Sequence, residues 1–404
     1  MVAPDGLCER TMSPAATAAD ASLRAPKPPF SILMVTPRYY PYMGGVETHT
    51  HEVAQRLARR GQSVTILSTD PSRRYPVTEL VSGINIIRVK AWPKHGDLYF
   101  APELFPRIGS GEWDIVHVQS YHTLVSPLAM AAAIRNRIPF VITFHSGGHS
   151  SRLRNAIRGI QRAALRPLIA RAQQLIAVSE FEADLFSNSL GIARARFAVV
   201  PNGSRLPKVS DTTQTPSSPL VISIGRLERY KGHHRVIRAF PGLLRRAPDA
   251  HLRILGEGPY EQNLRKLVRE LSLDSQVTIG GILPSDKQGI ASLISSAALV
   301  VLMSEYEAHP VAIVEALALG RPVLVSDTSG LREIARGGAC RLIPLHCDSQ
   351  TLADAMAEQL STPRRPVQIT LPDWDDCADR LLNIYQTVVA RSQAGEAPIS
   401  AGSC

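Results

Sequence analysis

The sequence predicts an α/β protein made of two Rossmann-like domains, each built on a parallel sheet. Short apolar runs typical of buried strands alternate with amphipathic helical patterns from residue 30 onward. The alternation stops at residues 204–218, which are rich in Ser, Thr and Pro, and begins again with the apolar run at 220–224. Two successive sets of β–α–β units joined by a linker therefore account for most of the chain.

The domain boundaries follow from these changes in composition. Residues 1–29 lack the continuous apolar stretch of a secretory signal and are expected to form a disordered leader. The expected order of the remaining segments is an N-terminal domain (30–203), a linker (204–218), a C-terminal domain (219–372), a final helix (373–392) and a disordered tail (393–404).

Composition excludes several classes of protein. The longest apolar runs fall well short of the roughly 18 residues that a membrane-spanning helix needs. The five cysteines are an odd number without paired metal-ligand spacing, which favours reduced thiols in the cytosol and predicts no metal site. A net charge of +10 favours contact with anions, but no groove-reading motif or aromatic stacking platform accompanies it, so no specific nucleic-acid binding is expected.

The segment 304–334 contains the most informative motif of the second half. An apolar run at 297–302 predicts a buried strand, and Pro310 suits the first turn of the helix that follows. Glu307 precedes this helix and Glu315 lies inside it. On a single helix the two would point about 80° apart, so a loop position for Glu307 lets both address one site at the strand end.

The start of this helix adds a second feature to the site. Its free N–H groups and positive dipole end favour a phosphate group, so that the whole segment fits a nucleotide sugar. The spacing of Glu307 and Glu315 is weak evidence when it is taken alone, because a solvated glutamate on a helix face explains it equally well.

Arg226 and Lys231 lie in a glycine-flanked loop after the first strand of the second half. There an arginine can bind two phosphate oxygens at once while a lysine supplies a compact charge. Two solvated loop cations are the alternative interpretation.

The first half offers Gly44, Gly45 and His145 as candidates. The glycine pair follows the first strand and opens a helix, where the missing side chains let the backbone approach a ligand, although a plain tight turn is the alternative. His145 follows the strand 139–144 and is placed for a hydrogen bond to substrate, with a structural histidine as the alternative.

The segment 151–172 is the clearest amphipathic helix. Its arginines recur at helical spacing. The pattern predicts an apolar stripe on the opposite face, formed by Leu153, Ile157, Ile160, Ala164 and Leu168. One interpretation is a solvated basic face on a core-facing helix, and the other is peripheral contact with an anionic membrane at its cytoplasmic face. The residues of this contact would be Arg152, Arg154, Arg158, Arg162 and Arg166.

These motifs occur together, in order, at predicted strand ends. They are Gly44-Gly45-Val46-Glu47, His145, Val200-Pro201-Asn202-Gly203, Gly225-Arg226-Leu227, Lys231-Gly232, Gly256-Glu257-Gly258-Pro259 and the pair Glu307 and Glu315 within a segment ending Gly320-Arg321-Pro322-Val323. Over residues 30–390 the chain resembles family 4 glycosyltransferases, which are retaining enzymes of the GT-B fold. The resemblance implies two domains that face each other across a cleft, with the last helix crossing back to the first domain.

The resemblance also implies roles for residues of the second domain. Arg226 and Lys231 would bind the donor diphosphate, so that neither a metal nor another cofactor is needed. Glu315 would hold the ribose hydroxyls and Glu307 the donor-sugar hydroxyls, with Val311 completing the donor site. The departing phosphate would take the acceptor's proton, so no residue is assigned as a general base.

From the first domain, His145 would contact the sugar, and the loop of Gly44 and Gly45 would approach the diphosphate or the acceptor. His145, Arg226, Lys231 and Glu307 form the expected catalytic set. The implied partners are a nucleotide-sugar donor and a glycan, lipid-linked or small-molecule acceptor.

The chain departs from the family pattern in one place, where Ala308-His309-Pro310 replaces the usual Gly-Phe-Gly. The donor-sugar pocket is therefore expected to differ from that of the family, and the identity of the sugar is not assigned. His309 is interpreted as a helix-start residue rather than a sugar contact. Two other functions remain as alternatives: a nucleotide-sugar epimerase of the same fold, and a noncatalytic nucleotide-sugar-binding regulator.

Overall fold

The computed structural model describes residues 29–42, 44–94, 98–146, 152–204, 206–207, 218–280, 286–364 and 371–395, with residues 152–157 and 337 described in backbone only. The predicted leader up to residue 28, most of the predicted linker and residues 396–404 of the predicted tail lie outside the described residues.

The first domain is built on a sheet with the strand order β3-β4-β2-β1-β5-β6-β7-β8. Its strands are β1 (Ser31–Thr36), β2 (Ser63–Thr69), β3 (Thr78–Val81), β4 (Ile84–Val89), β5 (Ile115–Gln119), β6 (Phe140–Thr143), β7 (Gln174–Ala177) and β8 (Phe197–Val199). All pairs are parallel except β3 with β4. The antiparallel edge strand was not predicted, because its short segment is mostly exposed and lacks an apolar run.

Helices cover both faces of this sheet. They are α1 (Gly45–Arg59), α2 (Leu104–Gly109), α3 (Val125–Arg135), α4 (Arg152–Ile169) and α5 (Glu180–Leu190). One core cluster packs β1, β5 and β6 against α2, α3 and α5, and another packs the opposite face against α1. Burial on both faces explains why the central strands read as continuous apolar runs.

The second domain has the strand order β11-β10-β9-β12-β13-β14, and every pair is parallel. Its strands are β9 (Leu220–Ile224), β10 (His251–Leu255), β11 (Val277–Ile279), β12 (Leu299–Leu302), β13 (Val323–Ser326) and β14 (Arg341–Ile343). Its helices are α6 (His233–Leu244), α7 (Glu261–Glu270), α8 (Lys287–Ser296), α9 (Val311–Ala318), α10 (Ser329–Ile334) and α11 (Ser349–Ser361).

The last helix, α12 (Trp374–Gln393), crosses back to the first domain. Asp373 caps its start, and Trp374 and Tyr385 are fully buried in the core that α1 covers. The Tyr385 hydroxyl lies 2.6 Å from Nδ1 of His117 in β5. The two-domain α/β fold and the returning helix are thus confirmed.

Both connections between the domains run side by side. The N–H of Ser204 donates to the carbonyl of Pro372 over 3.1 Å. A Cβ on Gly203 would lie only 2.3 Å from the backbone of Asp373, so this close approach requires glycine. The two crossings are therefore adjacent and form one junction.

The predicted orientation of the arginine-rich helix α4 is only partly correct: Leu168 of the predicted apolar stripe packs against the core, but Ile160 does not. Ile160, predicted to face the core, is 73% exposed, whereas Leu165 packs against the core and Ile169 is fully buried. Arg158 and Arg162 are half-buried near Tyr121, where they oppose the burial that raises its pKa. Because successive helical residues are about 100° apart, Arg158 and Arg162 lie on the same face as Leu165 and Ile169. The arginine face of α4 is therefore not fully solvated.

Arg166 is exposed, but it donates to the carbonyl of Leu190 at the end of α5 over 2.7 Å. The side chains of Arg152 and Arg154 lie outside the described residues. Among the helices that the structure describes, none combines the length and the apolar character that a membrane crossing requires.

Candidate functional site

The loops after β9 and β12 bring two of the predicted site residues into contact. Nζ of Lys231 lies 2.6 Å from Oε1 of Glu307. Lys231 precedes α6, and Glu307 lies in the loop between β12 and α9, as predicted. The carboxyl ends of two neighbouring parallel strands therefore bring together a cation and an anion 76 residues apart.

The Lys231–Glu307 pair is shielded from water, with 15% and 8% of the respective side chains exposed. Burial, the largest single effect, would lower the pKa of Lys231, but the attraction and hydrogen bond of Glu307 together with the effect of Tyr230 outweigh it, so the pKa is raised. The ammonium also lies 5.4 Å from the ring centroid of Tyr230. The cation therefore stays charged at neutral pH and is available to a phosphate that competes with Glu307.

Close backbone packing shapes the loop that carries Arg226. A Cβ on Gly256 would lie 2.0 Å from the carbonyl oxygen of Gly225, and Gly256 has φ +145°. The Arg226 side chain is 41% exposed and lies 3.5 Å from Glu228. Its positive charge acts against the rise in the pKa of Lys231.

Glu315 lies in the second turn of α9, where burial raises its pKa to about 7 against the opposing effect of Lys287. Val311 opens α9 and packs against the first-domain core. Lys287 forms an ion pair with Glu52 of α1 and so links the two domains. A partly protonated carboxyl group beside the cleft can accept hydrogen bonds from hydroxyl groups once it ionises.

The two domains form the two walls of the cleft. His145 follows β6 on the first-domain wall, opposite Lys231 and Glu307, and has a left-handed conformation with φ +46°. Its Nε2 lies 2.7 Å from Oε1 of Gln119, and its ring meets that of His49 edge-on at 4.5 Å. Burial, together with neighbouring His49, lowers the pKa of His145 well below its ordinary value. His145 is therefore a neutral hydrogen-bonding group, held in a sparsely populated backbone conformation.

Asn202 connects the two walls. Its Oδ1 lies 3.0 Å from Nδ1 of His49, and its Nδ2 donates to the carbonyl of His309 over 2.9 Å. The backbone of His309 thus takes part in the junction, and burial lowers the pKa of its imidazole to about 4. Nε2 of His49 and Nδ1 of His309 are buried without a partner among the described residues.

A second connection between the walls was missed by the sequence analysis. The Tyr306 hydroxyl lies 2.6 Å from Oγ of Ser146. Ser146 is bound in turn to the fully buried Glu182 of α5 through its N–H at 2.6 Å and through its hydroxyl. The only signal in the sequence was position, since Ser146 follows His145 and Tyr306 precedes Glu307.

Gly44 and Gly45 lie at the start of α1. Gly44 is the N-cap residue in an extended conformation, and a Cβ there would lie 2.5 Å from Oε2 of Glu47, which pairs with Arg38 at 3.0 Å. A Cβ on Gly45 would meet no atom within 4 Å. Gly45 therefore opens onto free space, as a backbone approach to a ligand requires.

The structure thus joins Lys231 directly to Glu307, and Arg226 lies in the same segment as Lys231 between β9 and α6. Glu315 and His145 each have separate neighbours on the second and first domain respectively. Within the residues that the structure describes, no group of three or more His, Cys, Asp or Glu side chains is arranged to hold a metal ion.

Comparison with known proteins assigns each half to a family. Residues 43–206 match the family described as Glycosyltransferase Family 4, and residues 209–370 match Glycosyl transferases group 1. Glycogen synthase of Mycobacterium tuberculosis is 29% identical over 82% of this chain and 86% of its own. Phosphatidyl-myo-inositol mannosyltransferase of Mycobacterium leprae is 28% identical over 88% of this chain and 96% of its own.

Solved structures show the same fold. Sucrose-phosphate synthase from Thermosynechococcus elongatus has a TM-score of 0.71 at 21% identity, over 89% of this chain and 99% of its own. The Anabaena protein HepE, solved with UDP-glucose, has a TM-score of 0.66 at 18% identity, over 91% of this chain and 99% of its own.

Proposed function

This chain belongs to glycosyltransferase family 4, and we propose that it moves a hexose-type sugar from a nucleoside diphosphate to an acceptor hydroxyl with retention of configuration. The observation that carries the proposal is the shielded contact of Lys231 with Glu307, beside Arg226 and the start of α9. A nucleotide-sugar donor is further supported by the UDP-glucose complex of the Anabaena neighbour.

In the proposed complex the diphosphate displaces Glu307 from Lys231 and binds both Lys231 and Arg226. Glu307 then accepts from the sugar hydroxyls, while Glu315 accepts from the ribose hydroxyls. Neutral His145 binds the sugar from the opposite wall. Since no side chain caps α9, its first N–H groups would also be available to the anion.

In the proposed reaction the bond between the anomeric carbon and the diphosphate oxygen breaks. The acceptor oxygen bonds to that carbon from the same face, and its proton passes to the departing phosphate. Charge builds on the leaving group, so fixed cations stabilise the transition state more than the ground state. Lys231 and Arg226 supply that charge, and the proposed reaction needs no metal ion.

A thermal-shift screen tests the donor site. We expect one family among UDP, GDP, ADP and their sugar conjugates to raise the melting temperature by several degrees. Ligand at about a hundred times its Kd stabilises by about 2.7 kcal/mol, and a domain of this size gains about 2 to 4 °C per kcal/mol. The shift should disappear in Glu315→Ala. Tight binding without turnover on any acceptor would favour a regulator, and acceptor-independent epimer formation would favour an epimerase.

We also propose that the acceptor is a glycan or lipid-linked intermediate at the cytoplasmic face of a membrane. This proposal is supported by the net charge of +10 and by Ile160, whose exposed side chain lies on the arginine-rich helix α4. Because Arg158 and Arg162 are half-buried, the exposed Ile160 is the position at which the contact is best tested.

Flotation with vesicles tests this membrane contact. At low salt we expect the protein to float with vesicles that contain anionic phospholipid and not with neutral ones. Ile160→Glu should weaken the binding by placing a negative charge on the proposed contact face. Leu80→Glu, at an exposed position on β3, is the matched control. Failure of the wild-type protein to float with anionic vesicles would remove the proposed contact.

A further inference from the structure

One hydrogen bond joins the two walls of the cleft next to the proposed sugar contacts. The hydroxyl of Ser146 has a single hydrogen, which it donates to the carboxylate of Glu182. Its oxygen must then accept from the hydroxyl of Tyr306, 2.6 Å away. Glu182 itself is fixed, because the N–H groups of Ser146 and Val178 also donate to it over 2.6 and 2.8 Å.

Further contacts surround this bond. Glu333 of α10 accepts from the N–H groups of Glu180 and Phe181 at 3.1 and 3.0 Å, at the start of α5 in the first domain. The ring of Phe181 meets that of Tyr306 edge-on at 5.6 Å. The start of α5 is thus held by the second domain through both a carboxylate and an aromatic ring.

The position of the bond links it to the reaction. Ser146 is the residue after His145, and Tyr306 is the residue before Glu307. His145 and Glu307 are the two residues proposed to bind the donor sugar from opposite domains. The bond between Ser146 and Tyr306 therefore joins the direct sequence neighbours of these two residues across the cleft.

We propose that Tyr306 is a positioning residue, whose hydrogen bond to Ser146 holds the cleft in the closed geometry in which His145 and Glu307 reach the same sugar. The proposal rests on the proposed glycosyl transfer. Lys231 and Arg226 bind the diphosphate from the second domain alone, so the bond acts on the reacting complex rather than on nucleotide affinity.

A double-mutant cycle with Tyr306→Phe and Ser146→Ala tests the proposal. Each variant should lower kcat for transfer about five- to tenfold, the effect of losing one hydrogen bond. The double variant should be no slower than Ser146→Ala alone, because that change already removes the bond to Tyr306 together with the bond from the Ser146 hydroxyl to Glu182. The Kd for the nucleoside diphosphate should change less than twofold. Additive losses, unchanged kcat or a parallel loss of nucleotide affinity would overturn the proposal.

Tyr260→Phe is the matched control, because this tyrosine lies in the same domain and its ring contacts His234 instead of the opposite wall. Thermal melts identify any variant that fails to fold, and Tyr306→Phe serves alone if Ser146→Ala is unstable. Small-angle scattering supplies a readout that needs no activity, since the radius of gyration should rise in both single variants. If the wild type transfers no sugar, the proposed function fails, and an unchanged radius would separately refute the closing role of Tyr306.

Discussion

Replacing Lys231 by alanine should lower kcat/KM for sugar transfer about 100-fold. The ammonium is mostly shielded from water, so its attraction to a developing phosphate charge is weakly screened. Its loss also leaves Glu307 without its ion-pair partner in a site where the carboxylate is 8% exposed. Initial rates at varied donor concentration, measured on a variant with a normal thermal melt, give the effect.

Three further variants define the role of this charge. Lys231→Arg should lose less activity than Lys231→Ala, because the charge remains while its geometry changes. Arg226→Ala should cost about ten- to a hundredfold, since its side chain is more exposed. Lys266→Ala removes a lysine that is 70% exposed on α7 and should have no effect. A folded Lys231→Ala variant with kinetics within twofold of wild type would contradict the diphosphate assignment.

Replacing Glu315 by glutamine should change the pH dependence of stability. Burial raises the pKa of Glu315 from 4.5 to about 7 in the folded protein. Between these values the folded chain binds more protons than the unfolded chain, so its stability falls as pH rises. The difference in pKa corresponds to about 3 kcal/mol once the carboxyl group is fully ionised. Glutamine does not titrate and avoids this loss.

We therefore expect Glu315→Gln and wild type to be equally stable near pH 4.5, with the variant more stable by about 2 to 3 kcal/mol near pH 8. Urea unfolding across this range measures the difference. Glu270→Gln, at an exposed position of α7, should show no such trend. A constant difference between Glu315→Gln and wild type at all pH values would show that Glu315 has an ordinary pKa.

Glu315→Gln also distinguishes the effect of Glu315 on folding stability from its effect on nucleotide affinity. Ribose hydroxyls donate hydrogen bonds, so they favour the ionised form of Glu315. Nucleotide affinity of the wild type should therefore rise as pH approaches 7, while Glu315→Gln should bind weakly and without this trend. The gain in stability together with the loss of affinity would identify Glu315 as a functional carboxylate that is held at a cost to the fold.

The fold class could be predicted because each central strand is buried on both faces and is therefore continuously apolar. The α9 segment was predicted well for a local reason: Pro310 precedes the helix, and Gly320 follows it in a left-handed conformation with φ +66°. The edge strand β3 was missed, and the orientation of α4 was predicted only in part. Both depend on what the neighbouring elements cover, which the hydropathy of the segment alone does not specify.

The candidate site also has one part that the sequence could predict and another part that it could not. Glu307, Arg226 and Lys231 could be placed at strand ends, and Glu315 in the helix that follows, because parallel β–α–β units bring those ends to one edge of a sheet. The Tyr306–Ser146 bond joins residues 160 positions apart in different domains, and no sequence spacing encodes it. The same holds for the bonds of Asn202 to His49 and His309.

By itself, the sequence determined the buried strands at the centre of the two sheets and the chemical types of the groups at the strand ends. These features depend on hydrophobic period and on local backbone chemistry, which neighbouring residues encode. Only the tertiary structure decided that Lys231 is held by Glu307, that burial raises the pKa of Glu315 and that Tyr306 contacts the opposite wall. These features depend on how segments far apart in the chain pack together. That packing determines how far each charged group is removed from water, which shifts its pKa, and how close the hydrogen-bonding groups of the two domains lie.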